Sequence, residues 1–258
     1  MSRLRARCPD CRTLTAVAFG PEYQCHSCGR EFAAGLLRVP RAWGEGGEAM
    51  AEAAFLELPY PEAGVIEAGT LAEQTLMVAS ELPDRPLVLG GCCCSHIGAI
   101  EALSAGEECL AIVWIDAHGD LNTPATSPSG NAWGMPLRIV IDDGAVEPRH
   151  VALVGARTLD PPEAEFIAAS GVQVGEGAVA RALEGADAVY VAVDADAAEP
   201  GELAVFMPEP AGLSVDELEA LLRDIAARTH VAGAGFSGLL RDPANEPKLA
   251  RLASALGL

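Results

Sequence analysis

At 258 residues, half of them apolar, the chain can bury one substantial core and carry a small appendage. Its formal charge of −20 argues against nucleic acid or an anionic membrane as the main partner, and no charge-free window is long enough to span a bilayer. The charge is uneven: residues 1–41 hold seven arginines against Asp10, Glu22 and Glu31, so a basic N-terminal segment precedes a strongly acidic body.

Met1 to Arg7 is basic with no apolar run behind it, so no signal-like segment opens the chain and a cytoplasmic location is expected. CPDC and CHSC follow, placing Cys8, Cys11, Cys25 and Cys28 at the spacing of a tetrahedral four-thiolate zinc site on two knuckles. Two disulfides are the alternative, and a cytosolic chain disfavours them. The segment resembles the zinc ribbon, a docking or stabilising module. A closed site of this kind has no open coordination position and implies structural zinc without catalysis. The expected organisation is a ribbon over 1–38, a linker or loop rich in Pro, Gly, Glu and Ala over 39–61, and an α/β domain over 62–258.

GEGGE at Gly44–Glu48 precedes a short helix. Thr70–Leu82 has helical apolar spacing and is closed by Pro83 and Pro86. Leu87–Leu89 is a short strand entering Gly90, Gly91 and CCCSH, and Ile97–Leu103 returns to helical spacing. Ile112–Ile115 is a strand that runs into DAHGD. Pro136–Ile141 is a helix, Val151–Val154 a strand and Pro161–Ala169 a helix. Val189–Val193 is a strand ending in DAD, after which Ser214 and Glu217 form a capping box for a helix to Ala227. Val231–Phe236 is the last strand and Glu246–Leu256 the closing helix. Strict alternation of this kind means a mostly parallel sheet with helices on both faces, a three-layer αβα fold whose ligands gather at the carboxyl ends of the strands.

The chemistry lies at those ends. Asp116, His118 and Asp120 alternate, so a continued strand would point all three to one face about 7 Å apart. Facing carboxylates repel unless something positive sits between them, and a divalent cation supplies it. A solvated polar turn is the bland alternative. Asp194 and Asp196 repeat the pattern on a second strand. If the two strands are neighbours, the five groups could hold a pair of cations bridged by Asp116 and Asp194.

These residues resemble the ureohydrolases, the arginase and agmatinase superfamily, whose motifs are GGDHS, DAHxD, SGNxHGxP and DVDxxDP. The chain carries GGCCCSH at Gly90–His96, DAHGD at Asp116–Asp120, SGNAWGMP at Ser129–Pro136 and DADAAEP at Asp194–Pro200. VGARTLDPPE at Val154–Glu163 is similar to the family's GxRDxDxxE segment. The resemblance implies an arginase/deacetylase-like fold and two manganese ions whose bridging hydroxide attacks a guanidinium carbon. By position, it implies one ion on His118 and Asp196 and a second on Asp120 and Cys93, with Asp116 and Asp194 bridging. Asp120 would also steer the hydroxide's proton. Asn122, Ser129, Asn131, Asp160 and Glu163 match loop positions that hold the amino-acid end of arginine, although small polar residues also build loops.

The departures fall on the chemistry. Cys93 stands where the family has a metal-ligand histidine, and a thiolate favours zinc, nickel or cobalt over manganese. His96 is an alternative ligand that could reach back one helical turn, and buried small filler is the bland reading of the three cysteines. Trp133 replaces a histidine thought to carry a proton, and indole cannot do acid or base work. The final-strand glutamate that pairs with the guanidinium aligns with Gly238.

Two functions remain in view. One is a metal-dependent hydrolase of a non-peptide C–N bond in a guanidino, amidine or amide substrate, with altered specificity and Trp133 lining the substrate site. The other is a non-catalytic arginase-like protein that binds metal or a small molecule and docks a protein partner through the ribbon. A mononuclear, deacetylase-like site is a third arrangement. Homo-oligomers are expected by analogy alone.

Overall fold

The computed structural model describes residues 5–19 and 22–258. Four short strands, β1 (Arg5–Ala6), β2 (Ala16–Phe19), β3 (Glu22–Cys25) and β4 (Glu31–Phe32), form an antiparallel sheet in that order. Its core is small: Ala6, Cys8, Ala16, Tyr23, Cys25 and Phe32. Cys8 and Cys28 approach to 3.6 Å between sulfurs, as do Cys11 and Cys25. A disulfide requires about 2.05 Å, so the four thiols are separate groups facing one point.

The body is one parallel sheet. In chain order it contains β5 (Gly35–Val39), α1 (Glu48–Ala51), β6 (Glu62–Val65), α2 (Leu71–Glu81), β7 (Pro86–Gly90), α3 (Ile97–Ser104), β8 (Leu110–Ile115), α4 (Pro136–Asp142) and β9 (Val151–Val154). There follow α5 (Pro161–Ser170), α6 (Ala178–Ala182), β10 (Ala188–Asp194), α7 (Val215–Arg228), β11 (His230–Ser237) and α8 (Asn245–Ala255). The seven strands run in the order β6-β5-β7-β11-β10-β8-β9, every pairing parallel.

The continuous apolar runs follow from this doubly covered sheet. Along β8, Leu110, Ile112 and Trp114 pack with Val78 of α2, Ile97 and Ile100 of α3, and Leu137 and Val140 of α4. The alternate residues Ala111, Val113 and Ile115 pack with Leu218, Leu222 and Ile225 of α7 and with Leu249 and Leu252 of α8. Thr70 caps α2 by accepting from Glu73 N at 3.2 Å, and Ser214 with Glu217 caps α7 as a reciprocal box. Each cap is worth about 1 kcal/mol.

Two strands escape the sequence pattern. Gly35–Val39 and Glu62–Val65 belong to the large sheet, so the end of the expected ribbon supplies one outer strand and the first residues of the expected α/β domain the other, with α1 between them. The reason is Arg38, buried inside β5. Its Nε donates to Glu62 Oε2 at 2.8 Å and its Nη1 to Leu56 O at 2.9 Å, so a charge that reads as loop-forming is paired and buried. The small sheet docks on this edge: Arg7 N donates to Glu62 O at 2.7 Å and Glu62 N to Arg7 O at 2.8 Å. The basic N-terminal segment therefore packs on the acidic body and covers a strand edge. Among the described residues, no helix is long and apolar enough to cross a membrane.

Candidate functional site

Strand order assembles the site. β7, β11, β10 and β8 are consecutive, and strands in a sheet lie about 4.8 Å apart. Their carboxyl ends deliver Cys93 just beyond β7, Ser237 closing β11, Asp194 closing β10 and Asp116 just beyond β8. Val193 lies opposite Ile115 in the ladder, so DAHGD and DAD do sit on neighbouring strands.

The extended geometry expected through DAHGD does not continue. β8 stops at Ile115; Asp116 Oδ1 then accepts from His118 N at 2.7 Å, and Asp196 Oδ1 from Ala117 N at 3.1 Å. At the other strand, Asp194 Oδ1 accepts from Asp196 N at 3.0 Å. Short carboxylates compete with the ladder for backbone donors and turn the chain. The candidate ligands converge because two such turns face each other, and Asp120 completes the first at φ +52°. A non-glycine residue in that region costs roughly 1–3 kcal/mol, and such strain collects at functional sites.

Two groups of potential ligand atoms result. Cys93, Asp116 and Asp120 offer atoms all within 4.8 Å of one another, and so do Asp116, His118 and Asp196. Asp116 belongs to both. Asp194 joins them, with Oδ2 2.8 Å from Cys93 Sγ. His118 Nδ1 lies 3.1 Å from Asp196 Oδ2 and 3.4 Å from Asp116 Oδ1. Cys8, Cys11, Cys25 and Cys28 form a third group of the same kind in the small sheet.

Burial governs the electrostatics. Burial and then the charges of Asp116 and Asp194 push the Asp120 carboxyl well above its ordinary range. Burial and Asp196 bring Asp194 up to about 7, while burial and Asp116 bring Asp196 up to about 6. Burial works against a charged His118, but its contacts with Asp116 and Asp196 outweigh that and hold it near 11. Burial, then Asp194, pushes the Cys93 thiol up. A cysteine so placed is a poor free nucleophile, because thiolate needs positive charge nearby.

Above this floor is a cavity of about 240 Å³. Its lining brings together Asn122, Ser129, Asn131, Trp133, Asp160 and Glu163, six residues taken from the sequence, and includes no lysine or arginine. Asn122 Nδ2 donates to Asp160 Oδ2 at 2.8 Å, and Asn131 Oδ1 accepts from Glu45 N at 3.0 Å. Glu163 spends both carboxylate oxygens on backbone, accepting from Leu121 N and Asp160 N at 2.9 Å each. Trp133 stands edge-on to Phe206 at 6.0 Å and packs over Gly44, where a Cβ would lie 2.4 Å from the indole.

His96 turns both ring nitrogens to hydroxyl groups and not to the carboxylate cluster. Its ring lies behind Cys93, with Nδ1 2.9 Å from Tyr190 OH and Nε2 3.3 Å from Ser237 Oγ. Gly238 lines the cavity at φ +72°, where a Cβ would fall 2.1 Å from Asp194 Oδ1. No larger residue fits there while Asp194 keeps its place.

Residues absent from the sequence reading are Met50, Phe206, Met207, Glu209 and Ser237. Glu209 Oε1 is 3.8 Å from His118 Nε2, and its Oε2 accepts from Thr158 Oγ1 at 3.2 Å. Arg157 pins that loop by donating to Glu209 O at 2.8 Å and Asp196 O at 2.7 Å. The conspicuous signal was FMPEP, an apolar and acidic run soon after DADAAEP.

Fold and site together define a class: a three-layer αβα fold whose central parallel sheet ends in a compact carboxylate, imidazole and thiol cluster. The Arginase family model matches residues 56–239. Arginase of Bacillus caldovelox is 33% identical over 178 residues, which cover 58% of this chain and 60% of that protein. The aligned stretch thus spans less than two thirds of that relative's length. The crystal structure of that enzyme superposes with a TM-score of 0.74 at 25% identity, over 87% of this chain and 98% of its own. Proclavaminate amidino hydrolase from Streptomyces clavuligerus shares the fold with a TM-score of 0.69 at 20% identity, over 86% and 90% of the two chains. The chain belongs to the arginase family.

Proposed function

We propose that the protein is a metal-dependent hydrolase of a non-peptide C–N bond, acting on a guanidino, amidine or amide group of a small molecule other than arginine. The observation that carries this reading is Asp116, shared by two ligand groups. The cluster also suits cations: Asp120 Oδ2 is buried with no hydrogen-bond partner, an orphan that is costly unless an ion takes it. Cys93, Asp116, Asp120 and Asp194 would hold one ion, and Asp116, His118, Asp194 and Asp196 the other.

Divalent ions here would supply Lewis acidity that lowers the pKa of water toward neutrality. Manganese is the family's metal, and the Cys93 thiolate tilts the choice toward zinc, cobalt or nickel. The chain's own residues do the rest. Asp120, at the edge of the floor, would also steer the proton released there. Asn122, Ser129, Asn131 and Asp160 bind the polar end of the substrate, while Glu163 holds the backbone of Leu121 and Asp160 in place. Trp133 and Phe206 form an apolar wall that excludes water. The small N-terminal sheet is a zinc ribbon, with structural zinc on Cys8, Cys11, Cys25 and Cys28, joined to the arginase-like domain.

Altered specificity rests on Gly238 and Trp133, which leave the pocket without the family's guanidinium-pairing glutamate and proton-carrying histidine. Elemental analysis of purified protein should find one zinc for the ribbon and additional metal in the body; ribbon zinc alone would refute the proposal. In a screen of guanidines, amidines, ureas and amides, arginine and agmatine should be poor substrates. The same two residues favour a second reading, a non-catalytic binding protein. Turnover that vanishes in Asp120→Asn or His118→Ala would end it.

A further inference from the structure

The proposed chemistry leaves one buried group unused. His96 is fully buried behind the metal floor, edge-on to Trp114 at 5.5 Å, and among the described residues its ring nitrogens meet the hydroxyls of Tyr190 and Ser237. Burying an imidazole there is costly unless its two nitrogens are satisfied. The fold makes room for it: a Cβ on Gly235 would lie 2.7 Å from His96 Cε1 and 2.9 Å from Tyr190 OH. Glycine in the interior of β11 weakens a strand, and here it opens the slot that the ring fills.

The hydrogen bonds around that ring have a direction. Tyr190 is fully buried, and its hydroxyl makes no hydrogen bond among the described residues other than that to His96 Nδ1, at 2.9 Å. A buried phenol proton must be donated, so Nδ1 accepts it and the imidazole proton sits on Nε2. Burial keeps the ring neutral, lowering its pKa to about 3. Nε2–H then donates to Ser237 Oγ at 3.3 Å, which leaves the serine proton to be given onward. Ser237 Oγ donates to Asp194 Oδ2 at 3.2 Å and lies 3.1 Å from Cys93 Sγ.

We propose that Tyr190, His96 and Ser237 form a hydrogen-bond relay that ends at the Cys93 sulfur and equips position 93 to serve as a metal-bound thiolate. This rests on the reading that the body binds metal. While Cys93 is a thiol, it donates to Asp194 Oδ2 at 2.8 Å. Uptake of an ion would release that proton to the water of the cavity that Cys93 lines; the sulfur would then need a donor, and with Asp194 turned to the ion the Ser237 hydroxyl is free to supply it. Partners behind a ligand tune its basicity and orientation, and removing one typically loosens the ion about 10- to 100-fold. The three are positioning residues, and a cysteine that merely fills space would need none of them.

The test uses the full-length chain loaded with cobalt(II). Ribbon thiolates also absorb in the near ultraviolet, so the Cys93 contribution is the charge-transfer intensity lost in Cys93→Ser. Ser237→Ala, which removes one oxygen, should move this difference band to lower energy and raise the body ion's dissociation constant about 10- to 100-fold, leaving the ribbon ion tight. Tyr190→Phe keeps the ring and should give a smaller shift of the same sign. A body that binds cobalt without a Cys93-dependent band would overturn the proposal and leave the metal reading standing. A band that neither variant moves would overturn the relay alone. A body that takes up no cobalt would remove both.

Discussion

Gly238→Ala separates backbone strain from steric exclusion at the pocket floor. Gly238 has φ +72°, and its Cβ would fall 2.1 Å from Asp194 Oδ1 and 2.6 Å from Oδ2. The carboxylate cannot swing away without loss, because Oδ1 accepts from Asp196 N and Oδ2 faces Cys93. Left-handed backbone costs an alanine roughly 1–2 kcal/mol, and overpacking of this kind adds about 1–3 kcal/mol. Gly130 is the matched control, at φ +71° with nothing within 4 Å of its Cβ, so Gly130→Ala should carry only the backbone cost. Calorimetry should show Gly238→Ala lowering Tm by about 4–20 °C and Gly130→Ala by about 2–8 °C, at roughly 2–4 °C per kcal/mol. Chelator competition should show body metal loosened only in Gly238→Ala. Equal losses of stability with unchanged metal affinity would refute the reasoning.

Asp116→Asn should release metal from both body positions and leave ribbon zinc bound, whereas Asp120→Asn should weaken one position; elemental analysis after dialysis distinguishes them. Cys93→His should shift metal preference toward manganese, measured by competition between manganese and zinc. His96, neutral in the fold with a pKa near 3, is protonated below about 6.5 once unfolded, so its contribution is complete above pH 6.5 and is lost as pH falls toward 3. The loss is at most about 5 kcal/mol, and urea midpoints of His96→Gln should fall less steeply over that window than those of the parent. Arg38→Met removes the buried donor to Leu56 O and one of Glu62's two cationic partners, while Glu62 is 28% exposed and keeps Arg7 at 3.6 Å, and should cost about 1–3 kcal/mol, read from urea unfolding.

The core strands were legible because each is a continuous apolar run. Val151–Val154 is bounded as expected, and the Ser214 box starts α7 where the residues indicated. β5 and β6 were illegible for a local reason. LLRV and EAGV are short and polar-interrupted, and only the meeting of Arg38 with Glu62, 24 positions apart, brings them together as a buried strand and a partly exposed edge strand. The DAHGD side chains were legible as candidate ligands, but not their geometry: Asp116 takes its own chain's His118 N–H and ends the strand.

Sequence by itself determined the chemical inventory: four knuckle thiols, two acidic strand-end motifs, a cysteine where a histidine was expected, and a tryptophan where a proton carrier was expected. Residue types and near-neighbour spacing are local properties and can be read along a chain. Only the tertiary structure decided that Asp116 belongs to two ligand groups, that Asp194 bars a side chain at Gly238, and that His96 stands behind Cys93 with Ser237 between them. Those relations depend on the order β7-β11-β10-β8, which sets side by side residues about a hundred positions apart, and hydrogen bonding and steric exclusion act only across such contacts.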